Sequence, residues 1–118
     1  MGIEVHVHLI DLKRAFRRLM ARLPDESEAG VKFIIFRAVG DHLEIVSGET
    51  SETLDASVGY PGEAQVPSSV FRGIARTLRF YRGRTVSVAS STGLLSICRT
   101  EFRHPHIFVS FNARNRAR

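Results

Sequence analysis

The sequence predicts an α+β domain in which the order β-α-β-β-β occurs twice, with two helices packed on two antiparallel sheets. Several short runs alternate apolar and polar residues, which is typical of half-buried strands. Two other segments repeat apolar residues every three or four positions, which is typical of amphipathic helices. A shift of about 58 residues aligns one helical segment with the other, which indicates a duplication. The length of 118 residues fits a single domain, predicted over residues 1–111, followed by a basic flexible tail over residues 112–118.

The first half begins with a strand over residues 3–9, in which every second residue is apolar. Asp11 is predicted to cap the helix that follows. Pro24 is predicted to end that helix, and an acidic loop comes next. The other predicted strands of this half span residues 31–39, 42–47 and 52–60, with turns at 40–41 and 48–51.

The second half repeats this order after the turn at Pro61-Gly62. A short strand over residues 64–66 leads to Pro67-Ser68-Ser69, which is predicted to cap a second helix. The apolar stripe of that helix ends at Leu78, and the helix itself is predicted to end at Tyr81-Arg82-Gly83. The remaining predicted strands span residues 85–89, 94–98 and 107–111, with a turn at 90–93.

Positive charge is concentrated in the two helical segments. The chain has a formal net charge of +5, and 15 of its 17 basic residues are Arg. Residues 11–22 and 68–84 together carry a net charge of +9, whereas the rest of the chain carries −4. Guanidinium groups match phosphate oxygens in two-point geometry, so this segregation points to a polyanion such as nucleic acid.

Within each helical segment the basic residues fall opposite the apolar stripe, and they lack acidic partners four positions away. Few Asn, Gln or Ser side chains accompany them, which favours contact with duplex phosphates over reading of base edges. The predicted DNA-binding residues are Lys13, Arg14, Arg17, Arg18, Arg22, Arg72, Arg76 and Arg79. The alternative for the same residues is a solvated face that keeps the protein soluble.

Two stretches give the chain a resemblance to a known family. Residues 5–23 and 62–71 resemble the strand–helix pairs of a single domain of the DNA sliding clamps, such as the bacterial DNA polymerase III beta subunit. The resemblance spans roughly residues 3–111 and implies a clamp-like fold whose two helices face double-stranded DNA, with a role as a processivity factor in DNA replication. Clamp subunits chain two or three such domains into a six-domain ring. A single domain therefore either assembles into a homo-oligomer through its sheet edges or does not encircle DNA.

Other motifs lead to weaker hypotheses. The pairs His6/His8 and His104/His106 would suit a tetrahedral metal site if the first and last strands were neighbours. Histidines tolerated on the polar faces of their strands are the simpler interpretation, so neither a metal nor another cofactor is expected. Cys98 is interpreted as an inert core residue of an apolar strand. The sequence contains no nucleophile elbow, no phosphate-binding Gly-rich loop and no His-Glu-x-x-His motif, so we expect no enzymatic activity.

These patterns lead to one expected function and one alternative. The expected function is that of a non-enzymatic, sliding-clamp-like protein that binds duplex phosphates without sequence preference, either as a self-assembled ring or as an accessory module in replication or repair. The alternative is a clamp-fold module that binds a replication or repair protein and has little DNA binding of its own. Neither a secretory signal nor a membrane-spanning segment is evident, so a cytoplasmic location is expected.

Overall fold

The computed structural model describes residues 2–23 and 33–110, which form two helices and nine strands. The helices are α1 (Leu9–Met20) and α2 (Ser68–Leu78). The strands are β1 (Ile3–His8), β2 (Phe33–Val39), β3 (His42–Ser47), β4 (Thr50–Tyr60), β5 (Gly62–Pro67), β6 (Thr85–Ser91), β7 (Leu94–Ile97), β8 (Thr100–Arg103) and β9 (Phe108–Ser110). Along the chain, α1 follows β1 and α2 follows β5, so the predicted α+β class is confirmed. α1 ends at Met20, four residues before the predicted end at Pro24, and Pro24, the acidic loop and the tail over residues 112–118 lie outside the described residues.

All nine strands join in one antiparallel sheet, in the order β8-β7-β6-β1-β4-β3-β2-β5-β9. The prediction of two separate sheets is therefore wrong. The reason lies in β4, whose residues 50–55 pair with β3 and whose residues 56–60 pair with β1. Because a single strand of 11 residues changes its partner midway, it belongs to both halves of the sheet and joins them.

The two helices lie side by side against the sheet, α1 on β1 and β4, and α2 on β2 and β5. In β1, residues Ile3, Val5 and Val7 are buried, while the alternate positions are not, as the sequence pattern predicts. Phe16 of α1 stacks on Phe71 of α2 with ring centroids 4.3 Å apart. Both rings also contact Phe36 of β2, at 6.1 and 6.3 Å between centroids. This aromatic cluster therefore holds α1, α2 and the sheet together in one core.

Both helices begin without the side-chain caps that the sequence suggests. α1 starts at Leu9, two residues before Asp11, and its cap residue His8 makes no side-chain hydrogen bond. The backbone N–H of Leu9 donates to the carbonyl of Arg84, 2.8 Å away, so a neighbouring segment satisfies one of the first N–H groups of the helix, which have no partner within it. Asp11 lies in the first turn, where a carboxylate is favourable for the helix dipole. At α2 the cap residue is Pro67, again without a side-chain hydrogen bond.

The position of Cys98 also differs from the prediction. β7 ends at Ile97, and Cys98 is exposed in the two-residue turn that leads into β8. Its φ of 57° lies in the left-handed region, which L-residues enter at a cost. In the turns after β2 and β3, Gly40 and Gly48 occupy the same first turn position with φ of 61° and 60°. Cys98 is thus a turn residue in a place that glycine takes elsewhere in this fold, and it is not part of the core.

The sequence pattern does not predict β8 at all. Its four residues, Thr100–Arg103, pair with β7 at the end of the sheet, and only Phe102 among them is shielded from solvent in part. An edge strand with no fully buried face has no reason to alternate apolar and polar residues, so periodicity gives no signal for it. Among the described residues, neither helix is long and apolar enough to cross a bilayer.

Candidate nucleic-acid interface

The eight side chains predicted to bind DNA lie on α1 and α2 and on the turns that follow them, away from the aromatic cluster. Their structural settings differ, and three groups can be distinguished. A groove between the helices is surrounded by Lys13, Arg17, Arg76 and Arg79. The outer flank of α1 carries Arg14, Arg18 and Arg22. The last residue, Arg72, is half-buried on α2, one turn before Arg76.

The groove between the helices, called the interhelix groove below, has a volume of about 320 Å³. Two basic residues from each helix segment line it, and no carboxylate is among the described residues of its lining. Its floor is apolar and consists of side chains that the helices turn toward each other. The floor residues are Phe16, Met20, Ala75 and Leu78. The arrangement places four cationic groups around a surface where the described residues supply no counter-ion.

A second groove adjoins the first at the start of α1 and has a volume of about 530 Å³. Lys13 and Arg17 line both grooves, and Arg14 and Arg82 join them in the second one. Arg82 is absent from the predicted DNA-binding set because it follows the predicted helix and has no place in a helical row. The sequence feature that indicates a role for Arg82 is its position in the basic segment 68–84, and the structure places the end of this segment beside α1.

One hydrogen bond fixes the segment after α2 against α1. The ammonium group of Lys13 donates to the carbonyl oxygen of Tyr81, 3.1 Å away. The hydroxyl group of Tyr81 donates to the carbonyl oxygen of Ile97 in β7, 3.3 Å away. These two contacts tie α1, the turn after α2 and the sheet together, so the walls of both grooves keep their relative positions.

The outer flank of α1 is more nearly neutral than the sequence suggests. Glu52 of β4 lies within 3.3 Å of Arg18 and 3.9 Å of Arg22, and its side chain is only 15% exposed. Arg14 lies 3.7 Å from Asp11 in the same helix. Within the helical segment no acidic residue lies four positions from these arginines, as predicted, but β4 supplies an acidic partner that helical spacing does not reveal, 34 residues from Arg18 in sequence. Exposed ion pairs of this kind contribute only about 0–1 kcal/mol to stability, so the arginines remain accessible to other anions.

The sheet face opposite the helices carries a cluster of charged residues that the sequence patterns do not predict. Arg37 of β2 donates to Glu63 of β5 over 2.6 Å and to Glu44 of β3 over 2.7 Å. The three residues stand opposite one another across adjacent strands. The hydrogen bond with Glu63, more than any other contact, raises the pKa of Arg37 above its ordinary value. This face therefore pairs its charges internally, whereas the interhelix groove does not.

The histidine pairs do not come together. β1 lies between β6 and β4, while β9 is the last strand at one end of the sheet, so the first and last strands are not neighbours. His104 and His106 contact each other, with the backbone N–H of His106 donating to Nδ1 of His104 at 3.1 Å. Across residues 2–23 and 33–110, no group of three or more metal-ligating side chains is present.

Comparison with known proteins identifies the fold. No family model matches the sequence, and no curated protein matches it. Among solved structures, the chain is similar to the beta sliding clamp of C. crescentus, with a TM-score of 0.69 and 15% sequence identity. The match covers 95% of this chain but only 31% of the clamp chain. The described residues therefore have a clamp-like fold, and the chain spans about a third of the length of that clamp chain.

Proposed function

We propose that this chain is a non-enzymatic, clamp-like DNA-binding protein that contacts the phosphates of double-stranded DNA without sequence preference. One observation carries the proposal: Lys13, Arg17, Arg76 and Arg79 line a single groove between the two helices, with no carboxylate among the described lining residues. The similarity in fold to a beta sliding clamp supports it. A nucleic-acid partner also fits a cytoplasmic location.

The groove suits a phosphate polyanion better than a single small anion. Three of its four cations are guanidinium groups, which bind phosphate oxygens through two parallel hydrogen bonds. They are distributed over two helices rather than converging on one point, which suits a linear polyanion better than a single small ion. Because the grooves hold no Asn, Gln or Ser in the described lining, base edges have no specific reader there. Binding to phosphates alone positions a protein without selecting a sequence.

The proposed DNA-contacting surface extends beyond the interhelix groove. We include Arg14, Arg18, Arg22 and Arg72 in the DNA-contacting surface, with weaker contacts than those of the groove, because ion pairing with Glu52 and Asp11 competes with phosphate at three of them.

The chain order of β1 to β4 with α1 matches that of β5 to β8 with α2, which supports a duplicated β-α-β-β-β motif. A replication or repair role follows from duplex binding on a clamp-like fold.

A salt titration tests the proposal. Binding of a short fluorescent duplex is measured by anisotropy at several salt concentrations, with two unrelated base sequences. Each neutralised phosphate contributes roughly −0.9 to the slope of log affinity against log salt, so four contacts give roughly −3.6 and a loss of about 150-fold between 50 and 200 mM salt. Both sequences are expected to bind equally. A flat salt dependence, or a clear preference for one sequence, would contradict the proposal.

Self-association through the sheet edges is a separate part of the proposal. The outermost strands of the sheet are β8 and β9, and strands at a sheet edge present unpaired backbone groups to another chain. A ring of six copies would have a mass of about 79 kDa, six times 13.2 kDa. Light scattering behind a sizing column measures this mass directly. A species of one or two copies would remove encirclement by this chain alone and leave duplex contact to be judged by the titration.

The alternative is a clamp-fold module that binds another protein. The observation that favours it is the exposure of two aromatic side chains outside the helix face, Tyr60 at the end of β4 and Phe108 in β9. Under this alternative, duplex binding is negligible near physiological salt. The same titration therefore separates the two functions.

A further inference from the structure

Phe80 is the most exposed of the large apolar side chains among the described residues, with 74% of its surface accessible. It follows directly after Arg79, the C-cap residue of α2. A single exposed apolar residue needs no explanation by itself. The ring of Phe80, however, contacts a guanidinium group, that of Arg79, which distinguishes it from an apolar patch that another protein would cover.

Phe80 lies in sequence between the residues that line the two grooves, and its ring contacts one of them. Arg79, on one side in sequence, lines the interhelix groove, while Tyr81 and Arg82, on the other side, line the second groove. The guanidinium carbon of Arg79 lies 5.6 Å from the centroid of the Phe80 ring, which is within the range of a cation–π contact. A phosphate bound by the guanidinium group of Arg79 would therefore lie close to this ring.

The backbone that carries Phe80 is held in place from several sides. Its N–H donates to the carbonyl of Thr77, 3.0 Å away, and the N–H of Tyr81 donates to that of Leu78 at 3.1 Å. The contacts of Tyr81 with Lys13 and with Ile97 fix the next residue as well. The ring is therefore presented on an ordered backbone, so little backbone order has to be gained when it binds a ligand.

We propose that Phe80 stacks on an unpaired nucleobase, and that the protein therefore prefers a junction between duplex and single-stranded DNA over a blunt duplex. This inference rests on the proposed function, because the grooves must hold the phosphates on either side of the base. In a duplex the faces of the bases are covered by their neighbours, and only an unpaired or terminal base offers a free face. Stacking on an aromatic ring accepts every base, which agrees with binding that has no sequence preference.

The test compares a blunt duplex with the same duplex carrying a single-stranded overhang, for wild-type protein, Phe80→Ala, Phe80→Trp and the control Phe108→Ala. Wild-type protein is expected to bind the overhang DNA about tenfold more tightly than the blunt duplex, as stacking of one base on an aromatic ring provides. Phe80→Ala is expected to lose this preference with unchanged affinity for the blunt duplex. Phe80→Trp and Phe108→Ala are expected to keep it.

A spectroscopic measurement reports stacking directly. The chain contains no Trp, so 2-aminopurine placed at the first unpaired position can be excited without interference from the wild-type protein. Its fluorescence is expected to fall on binding of wild-type protein and not of Phe80→Ala. The thermal unfolding of Phe80→Ala should match that of wild type, because the ring is exposed.

The outcomes separate this inference from the function on which it rests. Suppose that the blunt duplex binds with the expected salt dependence. If the overhang DNA then binds no more tightly than the blunt duplex, or if Phe80→Ala keeps the higher affinity for overhang DNA, only the stacking role of Phe80 is overturned. If neither DNA binds, the proposed function fails and the inference fails with it.

Discussion

Replacing Phe16 with alanine is expected to lower the free energy of unfolding by about 3–5 kcal/mol, the range for truncating a buried aromatic residue. The side chain of Phe16 is 2% exposed and packs against Phe71 and Phe36. Its removal therefore takes away apolar burial and leaves a cavity at the point where α1, α2 and the sheet meet. Both helices lose their common contact, so the walls of the interhelix groove are weakened as well.

Chemical denaturation followed by circular dichroism measures this loss. Phe80→Ala is the matched control, because the same side chain is removed from an exposed position; its effect is expected to stay within about 0.5 kcal/mol. A loss below about 1 kcal/mol for Phe16→Ala would contradict the packing described for the aromatic cluster.

Reversing the charge of Arg17 and Arg76 together is expected to weaken duplex binding by about 60-fold at 0.1 M salt, because each phosphate contact contributes a factor of about 8 at that salt concentration. One residue comes from each side of the interhelix groove. The slope of log affinity against log salt should become less steep by about 1.8, since two contacts are lost. Neither side chain is buried, so the fold should be retained.

The control for this variant is Arg99→Glu with Arg103→Glu, which changes the net charge by the same amount. Both residues are exposed and lie in the β7–β8 hairpin, at one end of the sheet. If the two double variants lost equal affinity, binding would depend on net charge and not on the two helices. Retained affinity in the control together with a large loss in the groove variant would support the proposed interface.

Much of the fold can be predicted from local patterns. β1 and β3 follow strict alternation, and the apolar stripes of both helices contain the residues that the core buries, including Phe16, Phe71 and Ile74. These elements have one buried and one solvated face, which is the condition under which periodicity carries information. The helix starts are less predictable, because α1 begins two residues before Asp11, and the N–H of its first residue, Leu9, donates to the carbonyl of Arg84, which is remote in sequence.

The candidate site is predictable in part for the same reason. Helical spacing places the basic residues on the face away from the core, and the structure agrees for α1 and α2. Spacing cannot show which of them meet an acid from another element. Glu52 reaches Arg18 and Arg22 only because β4 runs beside α1, and Arg82 reaches the second groove only because its segment folds back. Within the part of the chain that the structure describes, long-range packing thus divides one predicted surface into a flank with acidic partners and a groove lined by no carboxylate.

The place of β1 in the sheet has a consequence for how the chain acquires its structure during synthesis. β1 is first along the chain but sits inside the sheet, and its pairing with β6 joins residues 3–8 to residues 85–90. Translation proceeds at roughly 5–20 residues per second, so β1 waits about 4–16 s before its second partner exists. During that interval one edge of β1 has no native strand to pair with. Such non-local pairing slows folding, and it leaves an apolar strand exposed to chaperones or to other nascent chains.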